Sequence, residues 1–138
     1  QSAAMLIVSG ESTGRPWVDR ILDLRVDDHP TPLDELERLI TLHRGYEEMN
    51  QGDLAIEEGD LEAAKRAYGR AQSILADNPE ATFWYAVALC NAGEEERAVE
   101  LFHQVFARDE NWRRLTPRLI DGGHLVADDA LLARIVGR

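Results

Sequence analysis

The sequence predicts a mainly α-helical protein, an α-α superhelix of helical hairpin repeats preceded by a small β-hairpin and one helix. Three observations predict this fold class. The second part of the chain repeats itself every 34 residues, each repeat carries apolar residues at helical spacing, and two short segments near the start have the pattern of strands. We therefore divide the chain into residues 1–44 and 45–138.

Two strands are predicted at the start of the chain. Residues 2–8 form a continuous apolar run of strand length, and residues 10–16 have the composition of a loop. Residues 18–26 alternate between apolar and charged side chains, which places Leu22, Leu24 and Val26 on one face. These features indicate two antiparallel strands joined by a loop.

The stretch Asp27-Asp28-His29 follows the second strand and has two interpretations. In the first, carboxylates and an imidazole bind a metal or form an acid/base pair. In the second, an aspartate side chain hydrogen-bonds within the turn that ends the strand. The sequence has no second His or Cys cluster at metal-ligand spacing, so we favour the structural interpretation. We expect no catalytic residue, no metal site and no cofactor in this chain.

A helix is predicted after this turn. Pro30 and Pro32 end the strand pattern, and residues 33–43 are amphipathic, with the option of continuing into the first repeat. Two strands alone are marginal in water, so we expect the chain to be a piece of a longer protein and to pair its strands with a second copy. The apolar residues expected at this homodimer interface are Met5, Leu6, Ile7, Leu22 and Leu24.

From residue 45 onward, residues of the same character recur 34 positions apart. A glycine at the end of a helix can adopt the left-handed conformation that ends it, and a small residue allows close helix approach. The matching pairs are Gly52 and Ala86, Gly59 and Gly93, Ala64 and Ala98, Tyr68 and Phe102, and Ala71 and Val105.

This pattern resembles the tetratricopeptide repeat, a 34-residue helix–turn–helix unit. The resemblance gives repeats at residues 45–78 and 79–112 and a degenerate terminal cap at residues 113–138, with helices near 46–58, 60–75, 80–92 and 95–108. In the cap, Thr116-Pro117 is expected to open a short helix that ends at Gly122-Gly123, and Asp128 or Asp129 to cap a last helix.

The resemblance implies protein or peptide binding in a groove lined by the first helix of each repeat. The groove is predicted to be apolar with an acidic fringe, which suits a ligand with hydrophobic side chains and Lys or Arg. An alternative is that the cap helix or the N-terminal helix fills the groove. Cys90 also lies at a groove position, but we interpret it as a core thiol. The predicted groove residues are Tyr46, Met49, Asp53, Ile56, Glu57, Glu80, Phe83, Val87 and Asn91.

Composition excludes some partners. The net charge is −11, from 26 acidic and 15 basic residues, which opposes binding to nucleic-acid phosphates. The sequence has no apolar run long enough to span a bilayer, and its single cysteine fits a reducing compartment. We therefore expect no nucleic acid or membrane partner and a cytoplasmic location.

Residues 1–44, through the string LRVDDHP, resemble the end of the catalytic-type domain of an uncharacterised prokaryotic family with an Ntn-hydrolase-like fold. Gln1 is not a residue that can serve as an N-terminal nucleophile. We favour a non-catalytic interaction or assembly module of a larger protein. The alternatives are the C-terminal fragment of an Ntn-hydrolase-like amidohydrolase, with its catalytic residues outside this chain, and a structural dimerisation tail.

Overall fold

The computed structural model describes the backbone of residues 1–8 and 20–137, and the side chains of residues 1–5 and 24–137. The chain forms two compact units, residues 1–43 and 44–138. The mainly helical architecture with an antiparallel hairpin confirms the predicted fold class. The elements are β1 (Ala3–Val8), β2 (Arg20–Val26), α1 (Pro32–Glu57), α2 (Leu61–Ile74), α3 (Glu80–Asn91), α4 (Glu95–Arg108), α5 (Asn111–Asp121) and α6 (Asp129–Val136).

In the first unit, β1 and β2 pair antiparallel, as predicted. Ala3 lies opposite Val26 and Met5 opposite Leu24, and the register is irregular between Ile7 and Val8. The predicted loop at residues 10–16 lies outside the described residues. None of the described helices is both long and apolar enough to cross a membrane.

The stretch after β2 forms a turn. Asp28 has a φ of +50°, a left-handed conformation that aspartate tolerates better than most residues. Its N–H donates to Ser2 Oγ at 3.3 Å, and the His29 N–H donates to the Gln1 carbonyl at 3.0 Å. The Thr31 N–H donates to His29 Nδ1 at 3.0 Å. The stretch therefore forms a turn, as the structural interpretation predicts, but the side chain that accepts within it is that of His29 and not an aspartate.

Helix α1 is a single helix that starts with Pro32 and continues past Gly45 to Glu57. Proline suits the first helical position because its fixed φ is already helical and its missing N–H costs no hydrogen bond there. Gly45 does not end the helix. Its absent side chain instead makes room for Leu75, whose side chain a Cβ at position 45 would overlap.

The 34-residue period is present in the backbone of the second unit. Gly59 and Gly93 have φ values of +79° and +87°. In both turns, the N–H of the residue after the glycine donates to the carbonyl five residues back. Asp60 donates to the Ala55 carbonyl at 2.8 Å, and Glu94 donates to the Leu89 carbonyl at 2.9 Å. This is the Schellman arrangement that satisfies carbonyls at a helix end. Asp60 then caps α2 by accepting from the Ala63 N–H at 3.0 Å.

Aromatic side chains from both repeats form the core. Tyr68, Phe83 and Phe102 are completely buried. Tyr68 stacks on Tyr85 with ring centroids 4.5 Å apart, and Phe83 meets Phe102 edge-on at 5.7 Å. A side chain at Gly52 would overlap the Tyr68 ring, so the small residue allows α1 and α2 to approach closely.

Replacing Ala64 with leucine should lower the free energy of unfolding by about 1–3 kcal/mol, because it overpacks a closely packed helix contact. Ala64 in α2 has no exposed surface. Urea denaturation measures the effect. Lys65→Leu, which adds the same side chain at the exposed next position, is the control and should change stability by less than about 0.5 kcal/mol. Equal stabilities of the two variants would contradict the repeat packing.

The predicted start of the first cap helix is wrong. Helix α5 begins at Asn111, not at Thr116-Pro117, and Pro117 lies inside it. The Asn111 N–H donates to Asp109 Oδ1 at 3.0 Å, so Asp109 supplies the start signal. The buried Thr116 hydroxyl donates to the Trp112 carbonyl at 2.8 Å.

The end of the cap agrees with the sequence. Gly123 ends the turn after α5 with a φ of +77°, and the Asp128 side chain caps α6 by accepting from the Leu131 N–H at 2.7 Å. Arg113 holds the other end of α6, since its Nη1 donates to the carbonyls of Val136 at 2.6 Å and Gly137 at 2.9 Å. A cation at this place also faces the negative end of the helix dipole.

Candidate functional site

A cleft of about 480 Å³ lies between α1 and α3. One wall comes from the last three turns of α1 and the other from α3, and one residue comes from the connection after α5. The lining residues are Tyr46, Met49, Asn50, Asp53, Ile56, Glu57, Trp84, Val87, Ala88, Asn91 and His124.

The two walls run side by side in the same direction. At one end, the Tyr46 hydroxyl donates to Glu80 Oε2 at 2.9 Å, and these residues are 34 positions apart. At the other end, the lining includes Glu57 and Asn91, the last residues of α1 and α3 and again 34 apart. Two helix C-termini therefore meet at one end of the cleft, and their dipoles make that end electronegative.

Seven of the nine predicted groove residues line this cleft: Tyr46, Met49, Asp53, Ile56, Glu57, Val87 and Asn91. Glu80 accepts a hydrogen bond from Tyr46, which places it at the end of the cleft opposite Glu57 and Asn91. The prediction for Phe83 is wrong, since its ring has no exposed surface and packs against Phe102 and Trp112, at 5.7 and 4.5 Å. Cys90 is also buried, and burial raises the pKa of its thiol.

Sequence reasoning missed Asn50, Trp84, Ala88 and His124. Asn50 and Trp84 are 34 residues apart, so the period itself contained the signal that both face the cleft. His124 reaches the cleft through the connection after α5, which no local pattern indicates. Among the described lining residues none belongs to α6, so the cap helix does not fill the cleft.

Asp53 is the central charged group of the cleft. The Tyr68 hydroxyl donates to its carboxylate. Desolvation raises the pKa of Asp53, the hydrogen bond from Tyr68 acts in the opposite direction, and the negative charge of Glu57 adds to the increase. Glu57 lies one helical turn away, where like charges repel. A cation placed between them would relieve this repulsion.

Replacing Asp53 with asparagine should flatten the dependence of stability on pH. Because the folded state raises this pKa, the stability that Asp53 contributes is fully present below about pH 3.9, the unfolded value, and is lost as pH rises through the folded value. Asparagine keeps the acceptor for Tyr68 and removes the charge. At neutral pH we expect Asp53→Asn to be at least as stable as the wild type. Urea denaturation over a pH series tests this, and a loss of stability at neutral pH would contradict it.

Comparison with known families identifies one segment. Residues 55–116 match the tetratricopeptide repeat family model, which supports the repeat assignment for α2, α3, α4 and part of α5. Tetratricopeptide repeats generally bind proteins or peptides. Comparisons with curated proteins and with solved structures gave no significant match. The family match begins at residue 55, so the Ntn-hydrolase-like resemblance of residues 1–44 stays a hypothesis.

Proposed function

We propose that this chain is a non-catalytic interaction or assembly module of a larger protein, and that it binds an extended segment of a partner protein in the cleft between α1 and α3. The repeat match supports the general class, and the lining of the cleft carries the proposal for the ligand. Ile56 and Trp84 offer partly exposed apolar surface, while Asp53 and Glu57 offer exposed carboxylates. The partner segment has hydrophobic side chains beside Lys or Arg.

Charge supports a basic partner in three ways. The cleft contains two carboxylates one turn apart, its end faces two helix C-termini, and the whole chain carries a net charge of −11. The first two act at contact distance and favour a cation at one end of the cleft. The net charge acts at longer range and raises the rate at which a cationic ligand arrives.

A direct binding measurement tests the proposal. The probe is a short fluorescein-labelled peptide alternating leucine and lysine, and its control alternates leucine and glutamate. Fluorescence anisotropy should show binding of the lysine peptide alone, with an affinity that falls as salt concentration rises. Absence of binding at low salt would overturn the proposed function.

Two protein variants locate the binding site. Asp53→Asn should weaken binding several-fold, because it removes one cleft carboxylate without removing the acceptor for Tyr68. Glu62→Gln removes the same charge from an exposed position on α2, outside the cleft lining, and should leave the affinity nearly unchanged. Equal affinities of the two variants would show that the peptide binds elsewhere.

Assembly of two copies through β1 and β2 is the second part of the proposal. In the described part of the chain the sheet has two strands, each with an outer edge, and such edges recruit further strands. Met5 is 40% exposed and available for such an interface. We expect the chain to be a homodimer by light scattering, and a version that begins at Thr31 to be a monomer. Monomers in both cases would contradict the proposal. The side chains of Leu6, Ile7 and Leu22 lie outside the described residues.

A further inference from the structure

The third helical unit departs from the period in its first helix, α5. Helices α2, α4 and α6 begin at residues 61, 95 and 129, which are 34 positions apart. The turn glycines Gly59 and Gly93 keep this spacing, but the third left-handed glycine is Gly123, four residues before the period predicts. Residues 124–128 therefore connect α5 to α6 without helical structure. We call His124, Leu125 and Val126 the closing segment, because it borders the cleft at its electronegative end.

The side chain of Asn91 binds the main chain of the closing segment. The Asn91 Nδ2 donates to the His124 carbonyl at 3.0 Å, and the Val126 N–H donates to Asn91 Oδ1 at 2.8 Å. A carboxamide presents one donor and one acceptor side by side, as a peptide group does. The two bonds reach alternate residues, so Asn91 binds this segment as it would bind any extended chain. Both Asn91 and His124 line the cleft.

The attachment of the closing segment is uneven along its length. The N–H groups of His124 and Leu125 bond to the Leu119 carbonyl, at 2.8 and 3.2 Å, and Leu125 is 2% exposed. Val126, in contrast, is 70% exposed, and its polar contacts are to Asn91 and to the Cys90 thiol, which lies 3.5 Å from its carbonyl oxygen. The end of the closing segment at Val126 can therefore detach from Asn91 while the turn after α5 stays formed.

We propose that the closing segment is a displaceable occupant of the cleft, and that a partner peptide running the full length of the cleft takes over Asn91 from it. This inference rests on the proposed function and adds a regulation to it: binding requires the closing segment to open. A ligand offsets the free-energy cost of opening, because its own main chain replaces the closing segment in the two hydrogen bonds to Asn91.

Cys90 reports the opening. It is the single cysteine of the chain, it is 4% exposed, and the Val126 carbonyl lies against it. Its rate of labelling by Ellman's reagent in the native protein therefore measures how often the segment opens. Asn91→Ala should raise the rate about tenfold or more, as expected when two hydrogen bonds are removed. Asn50→Ala, at another exposed asparagine of the cleft, is the matched control and should leave the rate unchanged.

A second variant tests the same bond from the other side. Val126→Pro removes the N–H that donates to Asn91 and leaves α3 intact, and it too should raise the labelling rate while the circular dichroism spectrum is retained. If both Asn91→Ala and Val126→Pro label at the wild-type rate, Asn91 does not hold the segment and the inference is overturned.

The leucine–lysine peptide supplies the final test. At a concentration that saturates the anisotropy signal, it should raise the labelling rate of wild-type Cys90. Binding with an unchanged or lower labelling rate would overturn the inference and leave the proposed function standing. Absence of binding would overturn the proposed function, and displacement by a partner would be overturned with it.

Discussion

Replacing Phe102 with alanine is expected to lower the free energy of unfolding by about 3–5 kcal/mol, the cost of removing a buried aromatic ring and leaving a cavity. Phe102 has no exposed surface and contacts Phe83 of α3 and Phe106 of its own helix, with centroids 5.7 and 5.9 Å apart. It therefore holds the two helices of the second repeat together. Urea denaturation followed by circular dichroism measures the loss.

Phe102→Leu is the control for this prediction. Leucine keeps most of the apolar volume, so the loss should be clearly smaller than for alanine. If alanine and leucine cost the same, the ring contacts with Phe83 and Phe106 contribute little. A loss below about 1 kcal/mol for alanine would contradict the position of Phe102 in the core.

Replacing Ile135 with alanine should lower stability by about 2–5 kcal/mol, because this side chain is the completely buried contact of α6. A repeat array needs a terminal unit that covers the apolar surface of the preceding one. Leu132→Ala, on the same helix at a partly exposed position, should cost less and serves as the control.

Hydrogen exchange decides how far the effect of Ile135→Ala extends. If α6 is part of the cooperative core, amides in both α4 and α6 should lose protection. Loss of protection in α6 alone would show that α6 opens by itself while the repeats stay folded. In that case the cap would be an accessory to the repeats and not part of their core.

Most of the helical unit could be predicted because its determinants are local. A left-handed glycine, an acidic cap and a small residue one turn before an aromatic one each act within a few positions, and the period repeats the signal. Gly59, Gly93 and Asp128 illustrate this, since their predicted roles match the observed helix ends. The start of α5 differs from the prediction because the Thr116-Pro117 pair looks like a helix start, while the bond from the Asn111 N–H to the Asp109 side chain is inconspicuous in sequence.

The cleft could be predicted in part. Positions on α1 and α3 follow from helical geometry, and seven of the nine lie in the lining. The prediction that Phe83 lines the groove is wrong because the direction of its side chain depends on Phe102 and on Trp112, which approach from other helices. His124 could not be predicted, since its place depends on where α5 ends relative to Asn91.

The equal spacing of the starts of α2, α4 and α6 has a consequence for how such a chain can change in length. Even the degenerate third unit keeps its second helix in phase with the other two. A tandem duplication of residues 79–112 would therefore present the cap with the surface that it already covers, and growth by whole units would need no new terminal contact. Each added unit would also contribute one more helix to the wall of the cleft, so the length of ligand that the cleft can bind would increase with the size of the protein.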